Sequence, residues 1–312
     1  MADRVRLAGI DVSKEKLDVY VMPSGESRTV DYDPRGLARL RRWLVGLGVA
    51  VVAVEASGGY EREVSEVLEE AGLVVHRLNP LRVRRFAQLK GRLAKTDSLD
   101  ARTIAEFACA YPQERQLRRD PRRERLAEHL LVRRHTQEAI LDCINQLEHL
   151  RDGQLRRLVT ARKASMERVL AKLDRCLAEL IARHADLAEL SERLRTVPAV
   201  GPILATTLIA LLPELGSLTR RQVASLVGVA HFDRSSGRKT GAKSIQAGRG
   251  FVRKVLYMAA MVASRHNPVI AAFAQRLAGK PGKVRLVACM RKLIVTLNAI
   301  VRDGAQWQPL TA

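Results

Sequence analysis

Residues 6–12 read R-L-A-G-I-D-V and residues 17–22 read L-D-V-Y-V-M, two short runs of residues that favour β-strands. The polar turn at residues 13–16 separates them, and a third run at residues 27–32 follows a turn at residues 23–25. Three strands joined by turns this short predict an antiparallel meander at the start of the chain.

Alternating helices and strands follow the meander. A helix is predicted from Pro34, and the nearly all-apolar run at residues 49–54 is typical of a buried central strand. A helix over residues 61–71, a strand over residues 73–78 and a helix after Pro80 complete the pattern. This order predicts a mixed α/β sheet flanked by helices, with the strand order of the RNase H-like fold.

Four acidic residues stand where these predicted elements meet polar turns. Asp11 lies on the first strand, Glu55 ends the fourth, and Asp97 and Asp100 are three apart at the start of a helix, so those two share a face. In the RNase H-like fold these places converge. Converging carboxylates repel one another unless cations hold them, and oxygen donors suit Mg²⁺ or Mn²⁺. Two such ions would stabilise the attacking and leaving oxygens of a phosphodiester displacement.

Each acid also has a purely structural interpretation. Asp97 would cap its helix, and Asp100 would be a solvated acid that favours the helix dipole. Asp11 and Glu55 would simply end strands. Their joint arrival at the expected places of one fold favours the metal interpretation.

The charge balance points to a polyanionic partner. The 312 residues contain 54 Lys and Arg against 33 Asp and Glu, a formal net charge of +21, which attracts nucleic acid. Ribosomal, membrane-surface and architectural proteins share such a charge, so it predicts a partner and no chemistry. Four scattered cysteines without a C-x-x-C pair, and seven histidines without H-E-x-x-H spacing, exclude zinc and disulfide patterns. Without an apolar run of roughly 18 residues or a signal-peptide pattern, we expect a cytosolic protein with no membrane contact.

The middle of the chain is helical in pattern. After Pro121 no proline occurs up to Arg195, the only glycine is Gly153, and apolar residues recur at three- and four-residue spacing. These features predict two long helices that form a hairpin or coiled coil and suit dimerisation. Its arginine-rich outer face fits either a solvated surface or a nucleic-acid contact.

A second globular, mainly helical region begins at residue 196. The turn V-P-A-V-G-P at residues 197–202 resembles half of a helix-hairpin-helix, but Ala199 stands where that motif usually has glycine, so we predict a structural turn. The glycine-rich, basic segment from His231 to Lys254 predicts a phosphate-binding loop. Its candidate nucleic-acid-binding residues are Arg234, Arg238, Lys239, Lys243, Arg249, Arg253 and Lys254. Ser236 has only cations nearby in sequence, so a group elsewhere in the fold or on another subunit would have to activate it.

Seven motifs, in order along nearly the whole chain, resemble the DEDD transposases of the insertion-sequence-110 family. They are G-I-D-V-S-K at residues 9–14, V-E-A-S-G-G-Y-E at 54–61, K-T-D-S-L-D-A-R at 95–102, V-P-A-V-G-P at 197–202, S-S-G-R-K-T-G at 235–241, R-K-V-L-Y-M-A-A at 253–260 and M-R-K-L-I-V-T-L-N-A-I-V-R-D-G at 290–304.

This resemblance implies a recombinase with a RuvC-like domain over residues 1–114, a coiled-coil segment over 115–195 and a C-terminal transposase domain over 196–312. It implies that Asp11, Glu55, Asp97 and Asp100 bind Mg²⁺ or Mn²⁺. It also implies that Ser236, or the adjacent Ser235, attacks DNA to form a phosphoserine intermediate.

The implied partners are donor and target double-stranded DNA, a structured non-coding guide RNA encoded by the element, and further copies of the chain. The copies would form a dimer, and a tetramer in synapsis, in which the carboxylates of one subunit meet the serine of another. The expected location is the nucleoid of a bacterial or archaeal cytoplasm. The guide RNA would be recognised through its shape and backbone.

Two other functions fit parts of the pattern. A RuvC-like nuclease acting on DNA junctions would use the same acids with water as the attacking group, and the serine segment would only hold phosphates. A non-catalytic nucleic-acid-binding protein would keep the acids for structural reasons alone.

Overall fold

The computed structural model describes residues 6–56, 58–91, 97–111, 120–236 and 239–308, and only the backbone of residues 97–99 and 232–244. The chain forms two compact units, Met1–Gln116 and Leu117–Ala312. The sequence-based boundaries at residues 114 and 195 remain predictions.

The first unit is built on a five-stranded mixed sheet. The strand order is β3-β2-β1-β4-β5, in which β1 runs antiparallel to β2 and parallel to β4. The predicted meander and mixed α/β sheet are therefore confirmed. Its elements in chain order are β1 (Leu7–Val12), β2 (Lys16–Met22), β3 (Ser27–Asp31), α1 (Pro34–Gly46), β4 (Val51–Glu55), α2 (Glu61–Glu70), β5 (Val74–Leu78), α3 (Pro80–Leu89) and α4 (Asp97–Ala110).

The two faces of this sheet carry separate cores. Ile10 of β1 and Val54 of β4 lie in one core with Leu40 of α1. On the opposite face, Ala53 of β4 shares a core with Ile104 of α4. Successive strand residues point to opposite faces, so each strand contributes alternate residues to each core.

Gly9 allows α4 to lie directly on β1. A β-carbon added at Gly9 would lie 2.5 Å from the backbone nitrogen of Ala105, and closer still to the carbonyl oxygen of Ala101. Both are backbone atoms, so the helix could accommodate the added carbon only by moving away from the strand. Glycine at this position therefore sets the height of α4 above the sheet.

The second unit is mainly helical. Its elements are α5 (Pro121–His149), α6 (Gly153–Ala182), α7 (Ala185–Arg195), α8 (Pro202–Leu211), α9 (Arg220–Val227), β6 (His231–Ser236), β7 (Lys239–Ile245), α10 (Gly250–His266), α11 (Pro268–Arg276) and α12 (Gly282–Asp303). Within the described ranges, no helix is both long and apolar enough to cross a membrane.

The long helices α5 and α6 pair as an antiparallel hairpin. The Asp152 side chain accepts hydrogen bonds from the backbone amides of Gln154 and Leu155 and so caps the start of α6 directly after the turn. Farther along, Arg133 of α5 pairs with Asp174 of α6 at 2.5 Å. Leu130 and Leu177, near the open end of the hairpin, lie in the same core as helices α8 to α12. The predicted helical hairpin is present, and its base is part of the second unit.

Three local features differ from the sequence-based expectation or add to it. A separate helix, α7, begins at Ala185 inside the region expected to hold two helices. Ala199 adopts a φ of 76°, the left-handed conformation that favours glycine, so the predicted turn is made by alanine there. The expected loop after His231 instead forms the antiparallel pair β6–β7, with an irregularity between Phe232 and Arg234. Its composition concealed the strands, because it is poor in the branched and aromatic residues by which strands are recognised.

We expect Gly9→Ala to lower the free energy of unfolding of the first unit by about 2–3 kcal/mol, because the added carbon overpacks a backbone contact. Trp43 is the tryptophan of this unit and Trp307 that of the second, so Trp43 fluorescence in a Trp307→Phe background follows urea unfolding of the first unit.

Gly46→Ala is the matched control. Gly46 is the last residue of α1, and an added carbon there would meet nothing within 4 Å. It should leave stability unchanged or raise it by up to about 1 kcal/mol, since alanine favours helix. Equal stability of the two variants would contradict the packing role of Gly9.

Candidate active site

Asp11 and Glu55 lie side by side at the ends of two neighbouring strands. The parallel register pairs Gly9 with Ala53 and Ile10 with Val54, so the next residues on the two strands are Asp11 and Glu55. Both side chains are half-buried. Neighbouring strands are about 4.8 Å apart, a separation at which two ionised carboxylates repel one another.

Helix α4 covers the sheet face on which these two acids lie. Gly9 meets the backbone of α4 and Ala53 shares a core with it. Because alternate strand residues share a face, Asp11 and Glu55 lie on that same face, one step closer to the strand ends.

The start of α4 places further acidic residues near Asp11 and Glu55. The helix begins at Asp97, and the half-buried Asp100 directly precedes Ala101, whose carbonyl oxygen meets Gly9. The side chain of Asp97 lies outside the described residues. Of the four acids predicted from the sequence, the fold thus places Asp11, Glu55 and Asp100 around the same end of β1.

Asp18 is an acid that the sequence analysis missed. It stands directly opposite Asp11 in the antiparallel register of β1 and β2, so Asp18, Asp11 and Glu55 form a row across three strands. The hydroxyl of Thr29 on β3 donates a hydrogen bond to the Asp18 carboxylate and engages it on the side away from Asp11. The signal was the last acid of G-I-D-V-S-K-E-K-L-D, which the meander brings back beside the first.

The donor set fits a hard divalent cation in kind. Carboxylate oxygens are the donors that Mg²⁺ and Mn²⁺ prefer, and a cation between Asp11 and Glu55 would relieve their repulsion. Among the described side chains, no group of three or more His, Cys, Asp and Glu residues is arranged to hold a metal ion. Within the predicted tetrad, the strand register places Asp11 and Glu55 next to each other.

Comparison with known proteins decides the family. A family model for DEDD transposases, described as Transposase, matches residues 8–158, and a second, described as Transposase IS116/IS110/IS902 family, matches residues 191–275. The chain belongs to this transposase family. Pilin gene-inverting proteins of Moraxella lacunata and Moraxella bovis are each 24% identical to it over 95% of both chains.

Family membership makes the chain a DNA-rearranging enzyme of insertion-sequence type, with DNA as a partner and a divalent metal as the expected cofactor. The first matched region of the transposase contains all four predicted acids, and the second contains Ser236.

Ser236 is the last residue of β6. Its register partner on β7 is Lys239, and that of Ser235 is Thr240. Both serines therefore lie next to the tip of the hairpin. The side chains of Ser235, Ser236 and the predicted DNA contacts Arg234, Lys239 and Lys243 lie outside the described residues, as does Arg238 altogether.

The two ends of this hairpin are fixed to each other by a close backbone contact. Gly228 precedes β6 and Gly248 follows β7, both with positive φ. A β-carbon at Gly248 would lie 2.5 Å from the Cα of Gly228. Arg253 donates hydrogen bonds to the carbonyl oxygens of Ala247 at 2.5 Å and Gly228 at 3.4 Å, joining the same two segments.

Arg249 ties the end of the hairpin to the helical core. Its guanidinium forms two hydrogen bonds of 2.6 Å with the carboxylate of Glu214 and a third, of 2.9 Å, with the carbonyl oxygen of Leu211. Burial alone would raise the pKa of Glu214, but the hydrogen bonds and charge of Arg249 outweigh it, so this pKa is lowered. The pair is therefore ionised at neutral pH.

Three of the predicted nucleic-acid contacts are thus engaged within the transposase. Arg249 and Arg253 hold the hairpin ends, and Lys254 pairs with Glu138 of α5 at 3.2 Å. Glu214 and Gly248, which complete this frame, were not singled out from the sequence. The available signal for Gly248 was that it is a glycine within the predicted loop, whereas nothing local marks Glu214, 35 residues from its partner.

We expect Glu214→Gln to lower the free energy of unfolding of the second unit by about 2 kcal/mol at pH 7, because a charge-assisted bidentate contact is lost. Trp307 fluorescence in a Trp43→Phe background follows urea unfolding of this unit. Since the pKa of Glu214 is lowered, its contribution is present above the ordinary value of about 4.5 and declines as the pH falls below it.

Glu192→Gln, an exposed acid on α7, is the control and should change stability by less than about 0.5 kcal/mol. The account of the Arg249 contact would be contradicted by a Glu214→Gln protein as stable as the wild type at pH 7. A difference that persists undiminished at pH 3 would contradict it as well.

Proposed function

We propose that this transposase cuts and rejoins DNA at a site composed of the carboxylates beside β1 and a serine of the β6–β7 hairpin. The observation that carries the proposal is the placement of Asp11 and Glu55 at adjacent strand ends under the first turn of α4. Carboxylate oxygens brought together in this way are suitable ligands for a divalent cation.

In the proposed reaction, the Ser236 hydroxyl oxygen attacks a DNA phosphorus and forms a new P–O bond. One bridging P–O bond of the strand breaks, the hydroxyl proton leaves the serine, and the departing strand end takes up a proton. The strand is then held as a phosphoserine ester. A DNA hydroxyl that attacks this ester in the reverse sense rejoins the strand and releases the serine.

Asp11, Glu55, Asp97 and Asp100 would hold Mg²⁺ or Mn²⁺ in the proposed site. When bound, the metal would supply charge stabilisation for the oxygens of the phosphate undergoing displacement. The strand and helix positions of these acids, and the RNase H-like (RuvC-like) strand order of the sheet, support the assignment.

We further propose the partners that the family resemblance implies. The antiparallel α5–α6 hairpin would act as a coiled-coil element between copies of the chain, in a dimer and, with two DNA sites, a tetramer. An element-encoded guide RNA would select donor and target DNA in a bacterial or archaeal cytoplasm, at the nucleoid. The relatives' name, which refers to inversion of a gene, supports a conservative exchange of strands.

Ser236→Ala tests the nucleophile. The purified chain with its co-purifying RNA is incubated with Mg²⁺ and DNA that matches the RNA, and denaturing gels measure protein–DNA adducts and recombined product. Ser236→Ala should reduce both by at least about 1,000-fold, because no hydroxyl remains to form the ester.

Ser235→Ala is the matched control and should retain adduct formation. If Ser235→Ala loses the adducts and Ser236→Ala keeps them, Ser235 is the nucleophile. If Ser236→Ala and Ser235→Ala both cleave DNA like the wild type, water is the attacking group and the chain is a RuvC-like nuclease. If the wild type processes no DNA under any of these conditions, the proposed catalytic function is wrong.

A further inference from the structure

Four Arg and Lys residues and one histidine of the second unit line one pocket of about 490 Å³. Arg220 and Arg221 begin α9, His231 begins β6, and Arg291 and Lys292 lie on α12. Among the described residues, no acidic side chain lines this pocket, and none of the four Arg and Lys residues forms an ion pair. We call it the basic pocket.

Other arginines of the unit do have acidic partners. Arg122 pairs with Asp120 and Asp186, and Arg133 pairs with Asp174. Among the described side chains no counter-charge accompanies these four Arg and Lys residues, so a bound anion would reduce the repulsion among them. The composition of the basic pocket therefore indicates an anionic ligand.

Phe273 is the only Phe, Tyr or Trp among the described residues that line the pocket, and its contacts indicate which kind of ligand the pocket can bind. The Phe273 ring centroid lies 4.7 Å from the Lys292 ammonium and 5.6 Å from the Arg276 guanidinium. The ring is already engaged with two cations, so it positions them and is a poor platform for a stacked base. The contacts that remain available are those of cations with phosphate groups.

The location of the pocket relates it to the serine hairpin. His231 is the first residue of β6 and Ser236 the last. Five residue steps of an extended strand span roughly 17 Å. Successive phosphates of a DNA strand are about 3.4 Å apart along the helix axis, so this length corresponds to about five nucleotides.

We propose that the basic pocket binds phosphates of the duplex DNA backbone about five nucleotides from the phosphate that the serine attacks. This assignment rests on the proposed function, because the serine defines the point from which the distance is counted. The contact fixes the register of the DNA against the hairpin and reads no base sequence.

The test is the salt dependence of DNA binding by the full chain. A 30-base-pair duplex of arbitrary sequence, carrying a fluorophore, is titrated with protein at NaCl concentrations from 50 to 300 mM. Arg220→Gln/Arg221→Gln/Arg291→Gln should lower the slope of log K against log [NaCl] by about 2 to 3, since each lost phosphate contact removes about 0.9.

The charge-matched control is Arg35→Gln/Arg41→Gln/Arg42→Gln, three exposed arginines of α1 for which no ion pair is found within the described residues. It should change the slope by less than about 1. Arg220→Lys/Arg221→Lys/Arg291→Lys keeps the charge and should keep the wild-type slope, and it serves as the second variant if the glutamine protein does not fold.

Equal slope changes in the two glutamine variants would overturn the assignment, because the effect would then be general charge. A loss confined to a hairpin RNA probe, with duplex binding intact, would overturn it as well.

The binding assay does not require the serine. Ser236→Ala without adducts, together with wild-type binding by the pocket variant, would refute only the pocket. Adducts formed by both serine variants would refute the proposed function and leave the binding result to stand.

Discussion

The contact between Gly9 and α4 is the constraint on which the carboxylate site depends. The helix can approach β1 closely only because no side chain stands at Gly9, and its carbonyl and amide groups fill that space. This approach places the acidic first turn of α4 over the strand ends that carry Asp11 and Glu55. The lack of a side chain at Gly9 therefore determines both how closely α4 packs on the sheet and where its acidic first turn lies.

The cations of the second unit discussed above fall into two groups, those with partners inside the fold and those that line the basic pocket. Arg249 and Arg253 are internal structural groups that fasten both ends of the β6–β7 hairpin, and Lys254 bridges to α5. The cations of the basic pocket have no such partners among the described residues. In the proposed function the transposase would need both kinds, because a hairpin fixed only by bound DNA would have no defined register before the DNA binds.

The sequence predicted most of the first unit and little of the contacts within the second. Strand periodicity and turns were sufficient for the sheet because only the step from β3 to β4 joins strands that are not neighbours, and the RNase H-like order supplied that step. Asp11 and Glu55 followed from their places on the sheet. Gly9 was quoted within a motif, yet its role depends on a helix nearly a hundred residues away. The β6–β7 strands and the pairing of Glu214 with Arg249 were likewise invisible, because composition does not show which cations are already paired inside the fold.

The most direct test of the carboxylate site is Mn²⁺ binding by the full chain. Electron paramagnetic resonance measures this binding as a loss of the free-ion signal. We expect Asp11→Asn and Glu55→Gln each to weaken Mn²⁺ binding by more than about tenfold, because each removes a carboxylate ligand. Asp31→Asn, which removes an exposed acid of β3, should bind like the wild type. Wild-type affinity in Asp11→Asn and Glu55→Gln would show that the paired strand-end acids do not form the metal site.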